Sequence, residues 1–543
     1  MLRTTLSSLT CSLFVFLAID LGCSKLLAQL TVDDSGLIPA NFEGDIFMSR
    51  YEVGNSTTPE EFVLRSGTMI IGEELSITNG SVEVDGGNLN ANSLQLPTNF
   101  GLFAWPEIVG PDTSWSPFEF EELPFEFAPV EITPPRDFTF IGSQQQQFHQ
   151  KGGNVTLSEE VNLRSGNVIV DEGAFSAGSM IINGLSDSFG SATFRQNGGQ
   201  STFDSILIDN GSLDINDGVL TANSLAMGDP ASQTALLSRS PEVNQTGGDV
   251  QISGNVELCI PSFPNDVLQL FPFESVTYRL GNGNLSVGGD LIVGSMGAAP
   301  AEFIQTGGEN RVGGTLRIEG VGSNYDLQSG TLIVDQLHVA TDLFNTNGSF
   351  AMSGGATLQV SEEVVFGVDA AFAADADSTM HFSGASFSIL GSDEVALSGL
   401  DSLSLIIDGT DETTSLEVAG LDLGMTDQGF VMNFSLHLLQ IGDESSATVQ
   451  LVDLIDNNPL SNSNDALYVD TLNLAAGSTL DLNGLAVYYR ELSLGENASI
   501  IGSAVAVPEP GNPLPLFFGL LALVLGKCRQ KQVMRRRVQP TGA

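Results

Sequence analysis

A parallel β-solenoid is the fold class this sequence predicts, and three observations point to it. A glycine motif returns along the chain at a regular interval, short segments between glycine turns alternate apolar and polar residues, and helical periodicity is almost absent outside the termini. The motif is Gln-x-Gly-Gly, at Gln150-Lys-Gly-Gly153, Gln196-Asn-Gly-Gly199, Gln245-Thr-Gly-Gly248 and Gln305-Thr-Gly-Gly308, with intervals of 46, 49 and 60 residues. Three copies carry Phe two residues earlier (Phe148, Phe194, Phe303) and the other carries Val243. Half a unit later comes a second turn: Ser165-Gly166-Asn-Val-Ile-Val170, Asn210-Gly211-Ser-Leu-Asp-Ile215 and Ser329-Gly330-Thr-Leu-Ile-Val334, with Asn79-Gly80-Ser-Val-Glu-Val84 as an earlier copy. A third pattern, apolar-x-Ala-x-Ser-apolar, follows at Leu89 to Leu94, Phe175 to Met180 and Leu220 to Leu225.

A period near 46 that divides into two of about 23 predicts two coils per unit. One coil cannot bury its apolar face alone, so neighbours must stack. At about 4.8 Å per coil, some 14 to 16 coils would make a rod of roughly 70 Å. Glycine is required at the turns because it alone enters positive φ cheaply, so Gly247, Gly248, Gly307 and Gly308 should lie in tight turns. Gln150, Gln196, Gln245 and Gln305 have two readings: a ladder stacked along the rod, or solvent-facing turn residues. A row of β-sandwich domains is the competing architecture, although sandwiches rarely repeat a motif at this spacing.

Taken in order, residues 1–28 read as a signal peptide: Arg3 precedes an apolar stretch from Cys11 to Ile19, and cleavage could follow Ser24 or Ala28. A lipoprotein reading at Cys23 meets Asp20 where an apolar residue is wanted. Residues 29–96 are the first coils. Residues 97–138 hold eight of the 22 prolines and both tryptophans, Trp105 and Trp115, beside the run Pro117-Phe-Glu-Phe-Glu-Glu-Leu-Pro-Phe-Glu-Phe127. That proline density forbids a central strand and predicts an insertion lying over the solenoid, its rings either packing it down or offering a face to sugars. Residues 139–360 carry the regular repeats. Over 361–504 the Gln-x-Gly-Gly spacing lapses while short strands continue. Ala466-Leu-Tyr-Val-Asp470 and Val487-Tyr-Tyr489 fall here, and this stretch is expected to cap the solenoid. Residues 505–537 combine Val507-Pro508-Glu509-Pro510, an apolar run over 514–526, and a basic tail ending in Arg535-Arg536-Arg537. Thirteen residues in a helix span roughly 20 Å, short of the roughly 30 Å hydrocarbon core, which suits transient insertion with the arginines held at the cytoplasmic face.

Between the two terminal signals, residues 29–507 hold 64 acidic and 11 basic residues, a net charge of −53, with Lys151 the one lysine. Nucleic-acid binding is excluded for want of a basic surface, and direct ion pairing with acidic polysaccharide is disfavoured. The 42% apolar content still permits a sizeable core. Cys259 alone survives processing at both ends, so the mature chain has no internal disulfide. Four histidines (His149, His338, His381, His437) show no paired spacing; no His-Glu-x-x-His or Gly-x-Ser-x-Gly occurs. Asp214-Ile-Asn-Asp-Gly218 begins like a calcium loop, but Leu225 stands where the closing acid belongs, so it reads as a turn. No catalytic, cofactor or dedicated metal site is expected; carboxylates such as Asp33-Asp34 or Asp408 with Asp411 would bind Ca²⁺ weakly.

The C-terminal combination resembles the PEP-CTERM sorting signal of exopolysaccharide-producing bacteria. The resemblance implies that an exosortase-type membrane peptidase recognises Val507 to Pro510 and removes the apolar and basic remainder. The run from Thr306-Gly-Gly-Glu-Asn-Arg-Val-Gly-Gly-Thr-Leu-Arg-Ile318 through Asn324-Tyr-Asp-Leu-Gln-Ser-Gly-Thr-Leu332 resembles repeats of autotransporter-like β-helix passengers, over about residues 60–95 and 140–360. That likeness implies a right-handed β-helix and no activity. The expected protein is an exported, non-catalytic surface or extracellular-matrix scaffold or adhesin, with exopolysaccharide as a partner. The alternative is a polysaccharide-active β-helix lyase or hydrolase, which acidic pairs clustered with Arg or Tyr in one groove would favour.

Overall fold

The computed structural model describes residues 30–31, 41–43, 46–48, 51–53, 60–78, 80–96, 146–184, 191–228, 240–259, 275–295, 300–341, 347–409, 412–455, 457 and 465–508. It divides into two compact units, Met1–Val250 with Leu268–Glu274, and Gln251–Val267 with Ser275–Ala543. Residues 1–28, expected as a signal peptide, residues 97–138 with both tryptophans, and everything beyond Pro508 lie outside the described residues.

In the first unit each coil lays down three strand segments, and each segment pairs in parallel with its counterpart one coil away. Gln147–Gln150, Asn154–Leu157 and Glu160–Leu163 make one such coil, and Gly166–Val170 with Ala174–Asn183 make the next. The parallel pairing rules out the sandwich alternative. The coil that begins at Gln147 stacks directly on the one ending at Leu96, through Val84↔Gln150 and Leu96↔Leu163. The described coils on either side of residues 97–145 are therefore adjacent in the ladder.

The alternation read from the sequence is the alternation of inside and outside. In Gly166–Val170, residues 166, 168 and 170 are buried while 167 and 169 are half-exposed. The Phe before each Gln-x-Gly-Gly faces inward: Phe148, Phe194 and Phe303 are wholly buried, as is Val243. Phe175 lies edge-on to both Phe148 (6.1 Å) and Phe194 (5.7 Å), a favoured ring geometry.

The glutamines overturn both readings given to them. Gln150, Gln196, Gln245 and Gln305 are fully buried, so they are not solvent-facing turn residues. Nor do they form a ladder. The motif recurs only every second coil, and the register runs Gln150, Val170, Gln196, Ile215, Gln245, so an aliphatic side chain separates each pair. Each amide instead closes its own turn. Gln150 Nε2 donates to Gly153 O (3.1 Å) and to Ala174 O one coil on (3.0 Å). Gln196 Nε2 does the same toward Gly199 O (3.4 Å) and Val219 O (2.9 Å).

The two motif glycines have different physical reasons, seen at Gly247 and Gly248. Gly248 has φ +70°, where L side chains are strained. Gly247 has an ordinary φ, but a Cβ there would lie 2.4 Å from Asn216 O of the preceding coil. Gly307 and Gly308 repeat the pair, at 2.4 Å from Gly281 O and φ +69°.

The second unit continues in the same manner through Ala301–Gln305, Glu309–Ile318, Ser323–Leu327, Thr331–Val339, Gly348–Met352 and Thr357–Phe366. One side of its core is a column of rings from successive coils. Tyr278 stacks on Phe303 (4.7 Å, 7°), Phe303 on Tyr325 (4.6 Å, 5°), and Phe350 and Phe372 continue the column. Coils persist beyond residue 360 although the glutamine motif stops. In two of them a 3₁₀ turn, Ser398–Ser402 or Asp427–Phe430, precedes the next inward-facing strand. Strands then resume at Ala466–Leu474 and Ala486–Leu494.

Candidate functional site

The last part of the second unit gathers the residues with most chemical potential, and it does so around Val507. Ala504–Ala506 is the final strand, paired in parallel with Val487, Tyr488 and Tyr489. Val507 N–H donates to Tyr489 O at 2.8 Å. Its side chain is 3% exposed, packed with Phe430, Ala466, Tyr468 and Tyr488. Because Val507 turns its N–H toward the neighbouring strand, Pro508 has its ring nitrogen on the opposite edge, where a further strand would need a donor. Proline has none, so a further strand could take no bond from position 508. Glu509, Pro510 and the basic tail Arg535, Arg536 and Arg537 lie outside the described residues.

The apolar pocket for Val507 is locked by polar bonds. Tyr468 and Tyr488 stack at 4.7 Å, and Phe430 meets Tyr468 edge-on at 5.3 Å. The Tyr468 hydroxyl accepts from Leu423 N–H (2.8 Å) and donates to Gly424 O (3.0 Å); burial pushes its pKa up to about 12. Tyr488 donates to Asp422 Oδ1 at 2.9 Å. Gly429 is required beneath this stack, since a Cβ there would lie 2.0 Å from the Tyr468 ring. Arg490 lies over the Phe430 ring at 4.3 Å and pairs with Asp470 (2.9 Å) and Asp427 (3.9 Å), and His437 also faces Asp470 at 3.6 Å. A guanidinium over a ring and between two carboxylates is well held.

This is the grouping of acids, arginine and tyrosine that would suit carbohydrate chemistry. Both tyrosine hydroxyls and Arg490 Nη1 are bonded within the fold, while Arg490 Nε and Asp427 Oδ1 are buried without a hydrogen-bond partner among the described residues. Sequence reasoning singled out Ala466 to Asp470 and Val487 to Tyr489 as terminal strands but missed Phe430, Asp427 and Arg490. The usable signal was the rank of Tyr468 and Tyr488 at equal positions of consecutive coils, with one arginine between residues 318 and 507 to balance them.

The other histidines sit apart, two of them against a carboxylate: His149 with Asp171 at 2.6 Å and His338 with Glu363 at 3.2 Å. Burial raises the Asp171 pKa, but bonds from Asn197 and His149 outweigh it and hold the carboxyl below its usual range. Among the described residues no three His, Cys, Asp or Glu side chains are grouped to hold a metal ion. Asp33, Asp34 and Asp411 lie outside the described residues. Asp408 holds a turn, accepting from Gly409 N–H (2.9 Å), Ser445 N–H (3.2 Å) and Ser445 Oγ (2.9 Å). Asp214, paired with Arg195 at 2.9 Å, and Ile215 end the strand Gln200–Ile215, and the turn begins at Asn216, where Asp217 accepts from Gly218 N–H. Cys259 is half-buried, and burial pushes its thiol pKa up, away from reactivity. A cavity of about 400 Å³, with Ser323, Asn347, Ser349, Asp369 and Asp393 in its wall, lies elsewhere in the second unit.

Comparison with known proteins finds no matching family model, no matching curated protein and no matching solved structure. Among the described residues no helix is long and apolar enough to cross a membrane; the run over 514–526 lies outside them.

Proposed function

We propose that this chain is an exported, acidic surface or extracellular-matrix scaffold, acting through its repeated surface and delivered by processing at Val507-Pro508-Glu509-Pro510. The observation that carries the reading is the position of that motif. Among the described residues Val507 is the last packed into the body, and Pro508, exposed and without an N–H, follows it. A membrane peptidase of the exosortase type would then cut just beyond the last strand, Ala504–Ala506, and release the apolar and basic tail. The tail supplies transient membrane insertion and a positive end. With 64 acidic residues against 11 basic ones over 29–507, contact with an acidic exopolysaccharide would use Ca²⁺ bridges or hydrogen bonds rather than ion pairs.

Cell fractionation with mass spectrometry of the mature termini tests the delivery. The surface form should end near Pro508 to Pro510, and recovery of peptides containing Arg535 to Arg537 from that form would refute it. Binding of the processed protein to neutral and acidic polysaccharides, with Ca²⁺ and with chelator, tests the scaffold role. The rival reading, a polysaccharide-active enzyme, draws on the grouping of Asp427, Asp470 and Arg490. Oligosaccharide release that disappears in Asp470→Asn would establish the rival and displace the scaffold.

A further inference from the structure

The last coil of the second unit presents an unfinished surface. On one side Ala486–Leu494 is fully paired, with Leu472↔Leu492 and Leu474↔Leu494 in register. On the other side, among the described residues, only Val487, Tyr488 and Tyr489 have a partner strand. Residues 491–494 and Ser499–Ile501 thus form an open parallel edge. The core columns end there as well: Leu472 and Leu474 are buried, while Leu492 and Leu494 are 37% and 52% exposed, and Ile501 is 56% exposed. An open edge with apolar side chains is normally covered.

The position of the chain exit identifies what covers it. The described residues end at Pro508, which follows the bond from Val507 to Tyr489, and Tyr489 adjoins the segment 491–494 on the same strand. Only residues 509–513 separate that exit from the apolar run over 514–526. Six Cα-to-Cα steps reach at most about 20 Å, two of them into prolines. Several ångströms of that are spent crossing the headgroup layer. A tether this short gives the open edge an effective concentration at the lipid surface on the order of millimolar.

We propose that, while residues 514–526 are in the bilayer, the open edge formed by 491–494 and Ser499–Ile501 rests on a zwitterionic lipid surface, with Leu492, Leu494 and Ile501 at the headgroup boundary. This rests on the membrane-inserting reading of the tail given above. Glu491 and Glu496 flank the edge and select against anionic headgroups. Removal of the tail then releases the body from the membrane and uncovers the edge in one step.

The experiment uses the full chain with phosphatidylcholine vesicles, read by flotation and by hydrogen exchange at Ser499–Ile501. Three chains are compared: the natural one, Leu492→Glu with Leu494→Glu, and one with a Gly/Ser spacer of about 60 residues after Gly511. All three should float. Exchange at Ser499–Ile501 should be about tenfold slower in the natural chain than in the other two. Flotation with equal exchange in all three overturns the docking while leaving the tail reading intact. Failure to float removes the tail reading and this proposal with it. Protection that rises with protein concentration at fixed lipid would assign the edge to a second copy of the chain and overturn the lipid surface.

Discussion

At the scale of single residues, the repeat is held by groups whose substitution costs can be ranked. Gly248→Ala forces an L residue to φ +70°, and Gly247→Ala drives a methyl to 2.4 Å from Asn216 O. Each should destabilise the protein by about 1–3 kcal/mol. Gly152 occupies the equivalent first-glycine position, but its Cβ would meet nothing nearer than 3.6 Å. Gly152→Ala should therefore change stability by less than about 0.5 kcal/mol. Equal costs at 152 and 247 in denaturant unfolding would show that crowding by the preceding coil is not the reason. The buried glutamines offer a second ranking. Gln305 Oε1 accepts from the Tyr325 hydroxyl at 2.7 Å, and that hydroxyl accepts from Asn310 Nδ2 at 2.9 Å. Gln150 and Gln196 leave Oε1 without a partner among the described residues. Gln305→Leu orphans a buried phenol and should cost about 1–3 kcal/mol more than Gln196→Leu. In a double-mutant cycle with Tyr325→Phe, the coupling should exceed about 0.5 kcal/mol. Additive single costs would refute the network.

At the scale of elements, a coil is worth little alone, and its stability comes from what it stacks upon. The aromatic column in the second unit is the strongest instance. Phe303 lies between Tyr278 and Tyr325, parallel to both within 7° and 4.7 Å. Phe303→Ala would open a void shared by three coils and should cost about 3–5 kcal/mol. Phe303→Leu should recover most of that loss, and the same cost for both changes would mean that ring stacking, not volume, carries the column. The phase of the coils was legible in the sequence because glycine and alternation are local requirements: Gln-x-Gly-Gly marked the turns, and the Phe two residues earlier marked the core. The role of the glutamine was not legible. Alternation from the core Phe148 already points Gln150 inward, but its bonds to Gly153 O and to Ala174 O, 24 residues away, depend on how the next coil stacks. The end of the second unit was legible only in part. The strands around Tyr468 and Tyr488 could be read, but the ring of Phe430 reaches them from a 3₁₀ turn that has no periodic signature. That Val507 packs into the fold as well as opening the Val507-Pro508-Glu509-Pro510 run emerged only once its neighbours were in place.

At the scale of the whole molecule, the dominant quantity is charge. A net of −47 over 543 residues sets self-repulsion against the compact state, so stability should rise with salt, as screening shortens that repulsion to about 10 Å or less. The pH dependence follows from two sets of carboxyls with opposite shifts. Burial raises Asp401, Glu417 and Glu394 above their ordinary values. A raised carboxyl binds its proton more tightly when folded, so its ionisation opposes folding at neutral pH, and stability is gained as pH falls toward the raised value. Asp408 and Asp375 shift the other way. At Asp408 burial pushes the pKa up but is outweighed by N–H donors from Gly409, Ser445 and Asp443; at Asp375 the Ser378 hydroxyl leads the lowering. Their contribution is complete above the ordinary aspartate value of 3.8 and is lost as pH falls below it through the lowered one. Thermal midpoints should therefore rise by a few °C from pH 7 to about pH 5, then fall below about pH 4. The two limbs are separable. Glu417→Gln keeps an oxygen for Leu454 and Ile455 N–H and should flatten the rise between pH 7 and 5, while Asp408→Asn should flatten the acid-side loss. If Glu417→Gln alters the acid limb instead, the carboxyl that opposes folding at neutral pH lies elsewhere, and the assignment of the neutral limb to burial at this site fails.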